Sequence, residues 1–372
     1  MVTTVLQMKE NSDSMKEIIS IVGTRPQIIK SAALTRAFSK SGSLQETVIH
    51  TRQHYSANMS SDLFIDLDIP IPAIELDPPT ASDSSPYDQM FAAIHQIIQE
   101  RKPSAVLVYG DTTSTLAGAR AAADLHIPLI HIEAGLRSFN MEMPEEYNRI
   151  ETDKISQLLF CPTDTAVANL IHEGMDSNSV IRCGDIMYDN AMHYGKQVEP
   201  MDLPDYAFLT LHRPSNVDDS DRLFEFLSGL VATAQQIGLK LLFPIHHRTK
   251  QSLEKLDAWT DFSKNDTLIL TEPFTYTDTL RALKGCKQVW TDSGGLSKEA
   301  YFLQRPCLIL RSETEWVELV ENGYARIVHN DLTKISDAAH YYDTHSLGEL
   351  LPLYGDGHSA DFIVSTLEDF LA

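Results

Sequence analysis

IISIVGTRPQIIK, residues 18–30, passes from an apolar run into a Gly-Thr-Arg-Pro turn and on into a second apolar stretch. The run shows no alternating polar face, which is how a strand covered on both sides reads. The same arrangement recurs at residues 47–50, 105–109, 127–132, 206–211, 239–245, 267–271, 287–290 and 307–310, mostly rich in Val, Ile and Leu. Between these runs lie segments of helical period, such as 87–101, where Met90, Ile94, Ile97 and Ile98 fall on one face. Alternating strands and helices predict an α/β fold with parallel, doubly wound sheets.

A chain of 372 residues exceeds one ordinary core. Residues 192–205 carry one Gly, two Pro and little periodicity, so they read as a linker. Two Rossmann-like domains are thereby implied, at 17–190 and 205–355. Past a Gly-rich turn at Tyr354-Gly355-Asp356-Gly357, a helix at 361–371 is expected to bring residues 358–372 back onto the first domain. The polar residues 1–16 read as a flexible extension, with Met15 as an alternative start, and 77–86 (DPPTASDSSP) as a flexible insertion.

The formal charge of −22 argues against a nucleic-acid or acidic-membrane partner, both of which need a basic face. An anionic small molecule stays compatible, provided that its cations and helix ends are concentrated in one place. Cys161, Cys183, Cys286 and Cys307 form no C-x-x-C pair and are expected as buried thiols. Residues 1–16 contain no apolar signal region, and no apolar stretch approaches 18 residues, so the cytoplasm is the expected location.

The informative pattern lies just past the end of each strand. Gly23-Thr24-Arg25-Pro26, Thr51-Arg52-Gln53-His54, Gly110-Asp111-Thr112 and Glu133-Ala134-Gly135-Leu136-Arg137 succeed runs in the first half. His212-Arg213, His246-His247-Arg248, Thr291-Asp292-Ser293-Gly294-Gly295 and Arg311 succeed runs in the second. Ligands of open parallel sheets bind beyond the carboxyl ends of the strands. Any one cluster could be an ordinary turn or cap. So many together predict one ligand held in a cleft between two domains.

Ser293, Gly294 and Gly295 precede a helix read at 296–304, where backbone N–H groups and the positive helix end can meet a phosphate. Glu299, one turn further, could accept a ribose hydroxyl or simply face solvent. Arg25 and Lys30 place two cations at another helix start, where a polyanion would offset them. No G-x-G-x-x-G and no G-x-x-x-x-G-K-[ST] occurs, which argues against a dinucleotide redox cofactor and a P-loop. Asp111, Glu133 and the pair Glu145-Glu146 are acid–base candidates. Their plainer reading is a helix cap through Thr112 and an i,i+4 pair of Glu145 with Arg149. The cations beside His212, His246 and His247 suit phosphate better than a metal.

With these motifs in order, the chain resembles the non-hydrolysing UDP-N-acetylglucosamine 2-epimerase family from Ile18 almost to its end. The resemblance is carried by GTRPQIIK (23–30), Gln53-His54, YGDT (109–112), HIEAGLR (131–137), PEEYNR (144–149), His212-Arg213, TDSGGLSKEA (291–300) and YGDG (354–357). It implies a two-domain glycosyltransferase-B-like fold and an isomerase that needs neither cofactor nor metal. The implied reaction inverts C2 of a UDP-2-acetamido sugar, for cell-surface polysaccharide precursors. UDP leaves by anti-elimination to give a 2-acetamidoglycal and then re-adds after protonation of the other face. Carried over motif by motif, Asp111, Glu133 and Glu145 are the catalytic carboxylates, and His212 assists the departing diphosphate. Arg25, Lys30, Arg149, Arg213 and His246 contact substrate. Ser293, Gly294, Gly295 and Glu299 hold phosphates and ribose, and Phe274 sits by the uracil. Gln53 and His54 mark a possible regulatory site for a second UDP-sugar, and a homodimer is implied.

Departures from the family pattern narrow the resemblance. Arg52 stands where a glycine is common, Ser215 where a glutamate is, and His247 where a proline is. Thr314-Glu315-Trp316-Val317-Glu318 replaces T-E-R-P-E. This form, with Arg137-Ser138-Phe139-Asn140-Met141, resembles the branch acting on UDP-2,3-diacetamido-2,3-dideoxyglucuronate. A hydrolysing 2-epimerase, a glycosyltransferase and a non-catalytic UDP-sugar-binding protein are the competing readings.

Overall fold

A computed structural model of the chain describes residues 15–53, 60–80 and 84–372. Residues 1–14 of the expected extension, His54 and the middle of the 77–86 insertion lie outside the described residues. The chain divides into two compact units, one running to Asn190 and including Tyr354–Ala372, the other Ala191–Leu353.

The first unit holds a seven-stranded sheet built from β1 (Lys16–Val22), β2 (Leu44–His50), β3 (Ile74–Glu75), β4 (Ala105–Tyr109), β5 (Leu129–Ile132), β6 (Leu158–Cys161) and β7 (Val180–Arg182). Their order is β3-β2-β1-β4-β5-β6-β7, every pair parallel. The sheet turns back on itself between β1 and β4, so the two connections leave in opposite directions there and open a crevice at the carboxyl ends. Strand β4, AVLVY, is buried throughout, as its unbroken apolar run requires. Ile19, Ile21, Val106 and Val108 pack under Met90, Ile94 and Ile98 of helix Pro86–Arg101 and Ala117 and Ala121 of helix Thr113–Asp124. Each buried Ile, Val or Met among them contributes roughly 1.5–3 kcal/mol of transfer free energy.

The second unit repeats the plan with six strands: β8 (Tyr206–Thr210), β9 (Lys240–Pro244), β10 (Leu268–Thr271), β11 (Gln288–Thr291), β12 (Cys307–Ile309) and β13 (Ala325–Ile327). Their parallel order is β10-β9-β8-β11-β12-β13, with the switch between β8 and β11. Its core gathers Leu209, Leu227, Leu230, Leu241, Phe243, Trp290, Leu308 and Ile335.

Helix Ser359–Leu371 returns to the first unit and packs on helix Arg25–Phe38. Asp189 accepts the N–H groups of Ser359 and Ala360 at 3.1 and 2.7 Å, supplying the negative partner that a helix start favours.

Several local expectations change. Lys16, placed in the extension, already opens β1. Residues 192–195 of the expected linker are the last turn of helix Ile186–Gly195, because Ala191 and Tyr194 are buried. The helix read at 296–304 runs from Gly294 to Phe302. Cys161, Cys286 and Cys307 are buried free thiols, but Cys183 is only half-buried, since it lies just beyond β7 at the sheet's edge. Strands β3, β7 and β13 escaped the sequence reading because short edge strands need no continuous apolar run.

Candidate active site

In the first unit the switch point is drawn tight by glycine and glutamine. A Cβ on Gly23 would fall 2.1 Å from Ser114 Oγ and 2.2 Å from Thr51 Oγ1, so only glycine lets β1 end this close to the helix after β4. Gln27, buried in the first turn of helix Arg25–Phe38, uses both ends of its amide. Its oxygen accepts the Gly23 and Thr24 N–H groups at 2.8 and 3.2 Å, and its nitrogen donates to Tyr109 O at 2.8 Å and Thr115 Oγ1 at 2.9 Å. Gln53, three residues past β2, accepts from Ser114 N and Oγ at 2.8 and 2.7 Å, bracing the first turn of helix Thr113–Asp124. Sequence reasoning passed over Gln27, whose signal is a buried amide in the GTRPQ turn.

Three carboxylates gather on this edge. Thr112 takes the cap of helix Thr113–Asp124 through Thr115 N, so Asp111 is not used there. Asp111 instead pairs with Arg149 Nη2, and its carbonyl accepts Asn148 Nδ2 at 3.0 Å. Burial raises the Asp111 carboxyl above its ordinary range; Arg149 and Lys30 pull it back, while Glu133 and Glu145 push it up again. Glu133, 8% exposed, sits at a left-handed φ of +69°, and its Oε1 meets Lys30 Nζ at 2.5 Å. Left-handed backbone at a bulky residue is uncommon and collects at functional sites. His131, ahead of it on β5, is locked between Asp153 at 2.7 Å and Gly110 O at 2.7 Å.

Glu145 and Glu146 separate cleanly on helix Pro144–Ile155. Glu145 is exposed; Glu146 is buried, accepts from Ser138 and Phe139, and meets Arg149 at 3.5 Å. The i,i+4 alternative for Arg149 gives way to its pairs with Asp111 and Glu146. Lys30, Asp111, Glu133, Glu145 and Arg149 therefore share one field. Arg25 opens the neighbouring helix, half-buried.

In the second unit a different carboxylate organises the switch point. Asp292, fully buried one residue past β11, accepts His212 N, Arg213 N at 2.9 Å and Asn216 Nδ2 at 3.1 Å, and its Oδ1 lies 2.8 Å from His212 Nδ1. Burial alone would raise this carboxyl; the His212 ring and the backbone donors hold it below its ordinary range. The His212 side chain is 44% exposed. Asp292 is the second residue that sequence reasoning left without a role. Its signal was the register, since Thr210 pairs with Thr291 and puts His212 beside it.

Ser293 caps helix Gly294–Phe302 through Leu296 N, leaving Gly294 and Gly295 as its first two residues with N–H groups that no helix carbonyl can take. Glu299 is buried one turn in. Phe274, beyond β10, stacks on Phe208 at 6.1 Å between centroids. His246 caps helix His247–Leu253; partial burial, then the charges of His212, His247 and Arg248, lower its pKa.

This chemistry comprises a tunable carboxyl among cations in one unit and a carboxylate-oriented imidazole beside an anion-ready helix start in the other. It suits proton transfer and the departure of an anionic group. Comparison with known proteins gives the family. A family model described as UDP-N-acetylglucosamine 2-epimerase matches residues 36–368. The UDP-2,3-diacetamido-2,3-dideoxy-D-glucuronate 2-epimerase of Pseudomonas aeruginosa is 39% identical over 94% of this chain and 99% of its own. The UDP-N-acetylglucosamine 2-epimerase of Methanocaldococcus jannaschii is 36% identical over 93% and 97%. The crystal structure of a Methanocaldococcus jannaschii UDP-GlcNAc 2-epimerase with UDP-GlcNAc and UDP superposes with a TM-score of 0.87 at 35% identity, covering 95% of this chain and 99% of that one.

Proposed function

Because the chain belongs to the UDP-N-acetylglucosamine 2-epimerase family, we propose that it inverts C2 of a UDP-2-acetamido sugar without hydrolysing it. The observation that carries this reading is Asp111: a carboxyl raised by burial yet set between Arg149 and Lys30, in the field of Glu133 and Glu145. A carboxyl held among cations and other carboxylates in this way can accept a proton and give it back.

The C2–H of this sugar is not acidic until the C1–O bond begins to break, which places positive character on the ring. One carboxylate then removes the proton as UDP leaves, giving the glycal. A second group delivers a proton to the opposite face, and UDP returns to C1. Asp111, Glu133 and Glu145 carry the proton steps and the charge on the ring; Lys30 is paired with Glu133. His212, oriented by Asp292, donates toward the diphosphate with Arg25 and Arg213, while the first N–H groups of helix Gly294–Phe302 hold a phosphate.

Both UDP-N-acetylglucosamine and UDP-2,3-diacetamido-2,3-dideoxyglucuronate belong to this substrate class. The Trp316 form of the 314–318 motif and the 39% identity to the Pseudomonas enzyme favour the second. A homodimer, a cytoplasmic location and a role in supplying polysaccharide precursors belong to the same proposal. No described helix is long and apolar enough to cross a membrane.

Incubation with each UDP-sugar in deuterated water tests the reading. Deuterium at C2 and the manno epimer are expected, with UDP retained on the sugar. Free sugar and UDP as sole products would instead mark a hydrolase, and no exchange with either sugar would sink the proposal.

A further inference from the structure

Six residues after Glu133 and six before Glu145, a loop holds two apolar side chains out in solvent: Phe139 is 78% exposed and Met141 63%. Phe139 has a left-handed backbone, φ +57°. For a bulky side chain that conformation is uncommon and strained.

The loop is nonetheless firmly built. Glu146, 1% exposed, accepts Phe139 N through Oε1 at 2.9 Å, and Ser138 N and Oγ through Oε2 at 2.9 and 3.0 Å. Ser138 Oγ in turn accepts Asn140 N at 3.3 Å, and Asn140 accepts Glu142 N at 3.1 Å through Oδ1 and Met143 N at 3.1 Å through its carbonyl. Behind it Arg137 is fixed by Asp153 at 2.8 Å and Glu173 at 2.7 Å. A buried carboxylate thus holds an aromatic ring in water against the ring's own backbone preference. Strain retained beside exposed apolar surface is a mark of use.

The same network leads to the proton-transfer groups. Glu146 meets Arg149 at 3.5 Å, and Arg149 pairs with Asp111. The Phe139 backbone is therefore three polar links from the Asp111 carboxyl, through Glu146 and Arg149. Within the sugar moiety of a UDP-amino sugar, the apolar parts are the acetyl methyl groups and the C–H face of the ring. We propose that Phe139 is a specificity-determining residue: its ring packs on the N-acetyl methyl and adjacent C–H face of the sugar, and Glu146 is the positioning residue that aims it. This inference rests on the proposed function above and names the part of the substrate that the first unit recognises.

The test compares wild type, Phe139→Ala, Phe139→Gly and Phe139→Tyr with UDP-N-acetylglucosamine and its diacetamido uronate counterpart, measuring KM, kcat, UDP affinity and the thermal midpoint. Removing the ring is expected to raise KM about tenfold, as loss of a partly buried aromatic contact would. UDP affinity stays within twofold of wild type, and Phe139→Tyr restores KM. Phe139→Gly relieves the left-handed strain, so it melts no lower than wild type while losing substrate affinity. An active wild type whose KM survives Phe139→Ala overturns the inference alone. So does a Phe139→Gly variant that melts lower and loses UDP affinity in step, since that marks a purely structural ring. A wild type that exchanges no C2 hydrogen overturns the proposed function and this inference together.

Discussion

The two switch points share a topology and differ in the charge that sits on it. Between β1 and β4 the key carboxyl, Asp111, is raised by burial and balanced by neighbours of both signs. Between β8 and β11 the key carboxylate, Asp292, is buried more completely yet lowered, because three N–H groups and the His212 ring point at it. Burial sets the same direction in both; donor count decides the outcome. Under the proposed function, the first edge exchanges a proton while the second holds one charge and aims a ring.

Replacing Asp111 should break the comparison most visibly. Asp111→Asn keeps the shape and removes the titrating group, so C2 exchange should fall about 10²–10⁴-fold, the usual span of a positioned acid–base group. The raised carboxyl also fixes the sign for stability. Its folded pKa lies above its unfolded value, so ionisation opposes folding, and the wild type gains stability as pH falls through that window. Asp111→Asn should therefore be no less stable than wild type at neutral pH. An activity loss matched by a lower melting temperature would show that Asp111 is an anchor instead.

Asp292→Asn should do the reverse. Its amide cannot accept all four contacts as a carboxylate does, so a loss of about 2–4 kcal/mol is expected from breaking charged hydrogen bonds in a buried place. Activity should fall less, by about 10–100-fold, as for other residues that orient a functional histidine. The pH signature is also opposite. The folded pKa of Asp292 is depressed, so its stabilisation is present above the unfolded value and is lost as pH falls through the folded one. Acid unfolding of wild type against Asp292→Asn should show that loss only in the wild type. Parallel acid limbs would refute the assigned sign.

The same contrast explains what the sequence could and could not disclose. Strands β1, β4, β8 and β11 were legible because central parallel strands must be apolar throughout, and their polar sequels then mark the carboxyl edge. Asp111, Glu133 and His212 stand out as ionisable groups in those sequels. Asp292 and Gln27 did not, because their work is to accept and donate to backbone several elements away, and no local spacing records that. Nor could spacing tell Glu145 from Glu146. Adjacent positions on one helix point about 100° apart, and only the loop 138–140 decides that Glu146 is the buried one.

The smallest expected effect concerns how each edge is braced. The second uses a carboxylate for this, but the first uses neutral amides: Gln53 reaches from just past β2 to Ser114 N, in the first turn of helix Thr113–Asp124, and to Ser114 Oγ. A lost helix-start acceptor costs about 1 kcal/mol, and the exposed N–H regains some of it from water. Gln53→Ala should thus lower unfolding free energy by about 1 kcal/mol, with no change in its pH dependence, because no charge is removed. Neutral bracing adds no charge to the field that Lys30, Arg149, Glu133 and Glu145 set around Asp111. Should Gln53→Ala also move the pH profile of C2 exchange, the brace would be shifting those charges, and the division between a fixed and a tunable edge would need redrawing.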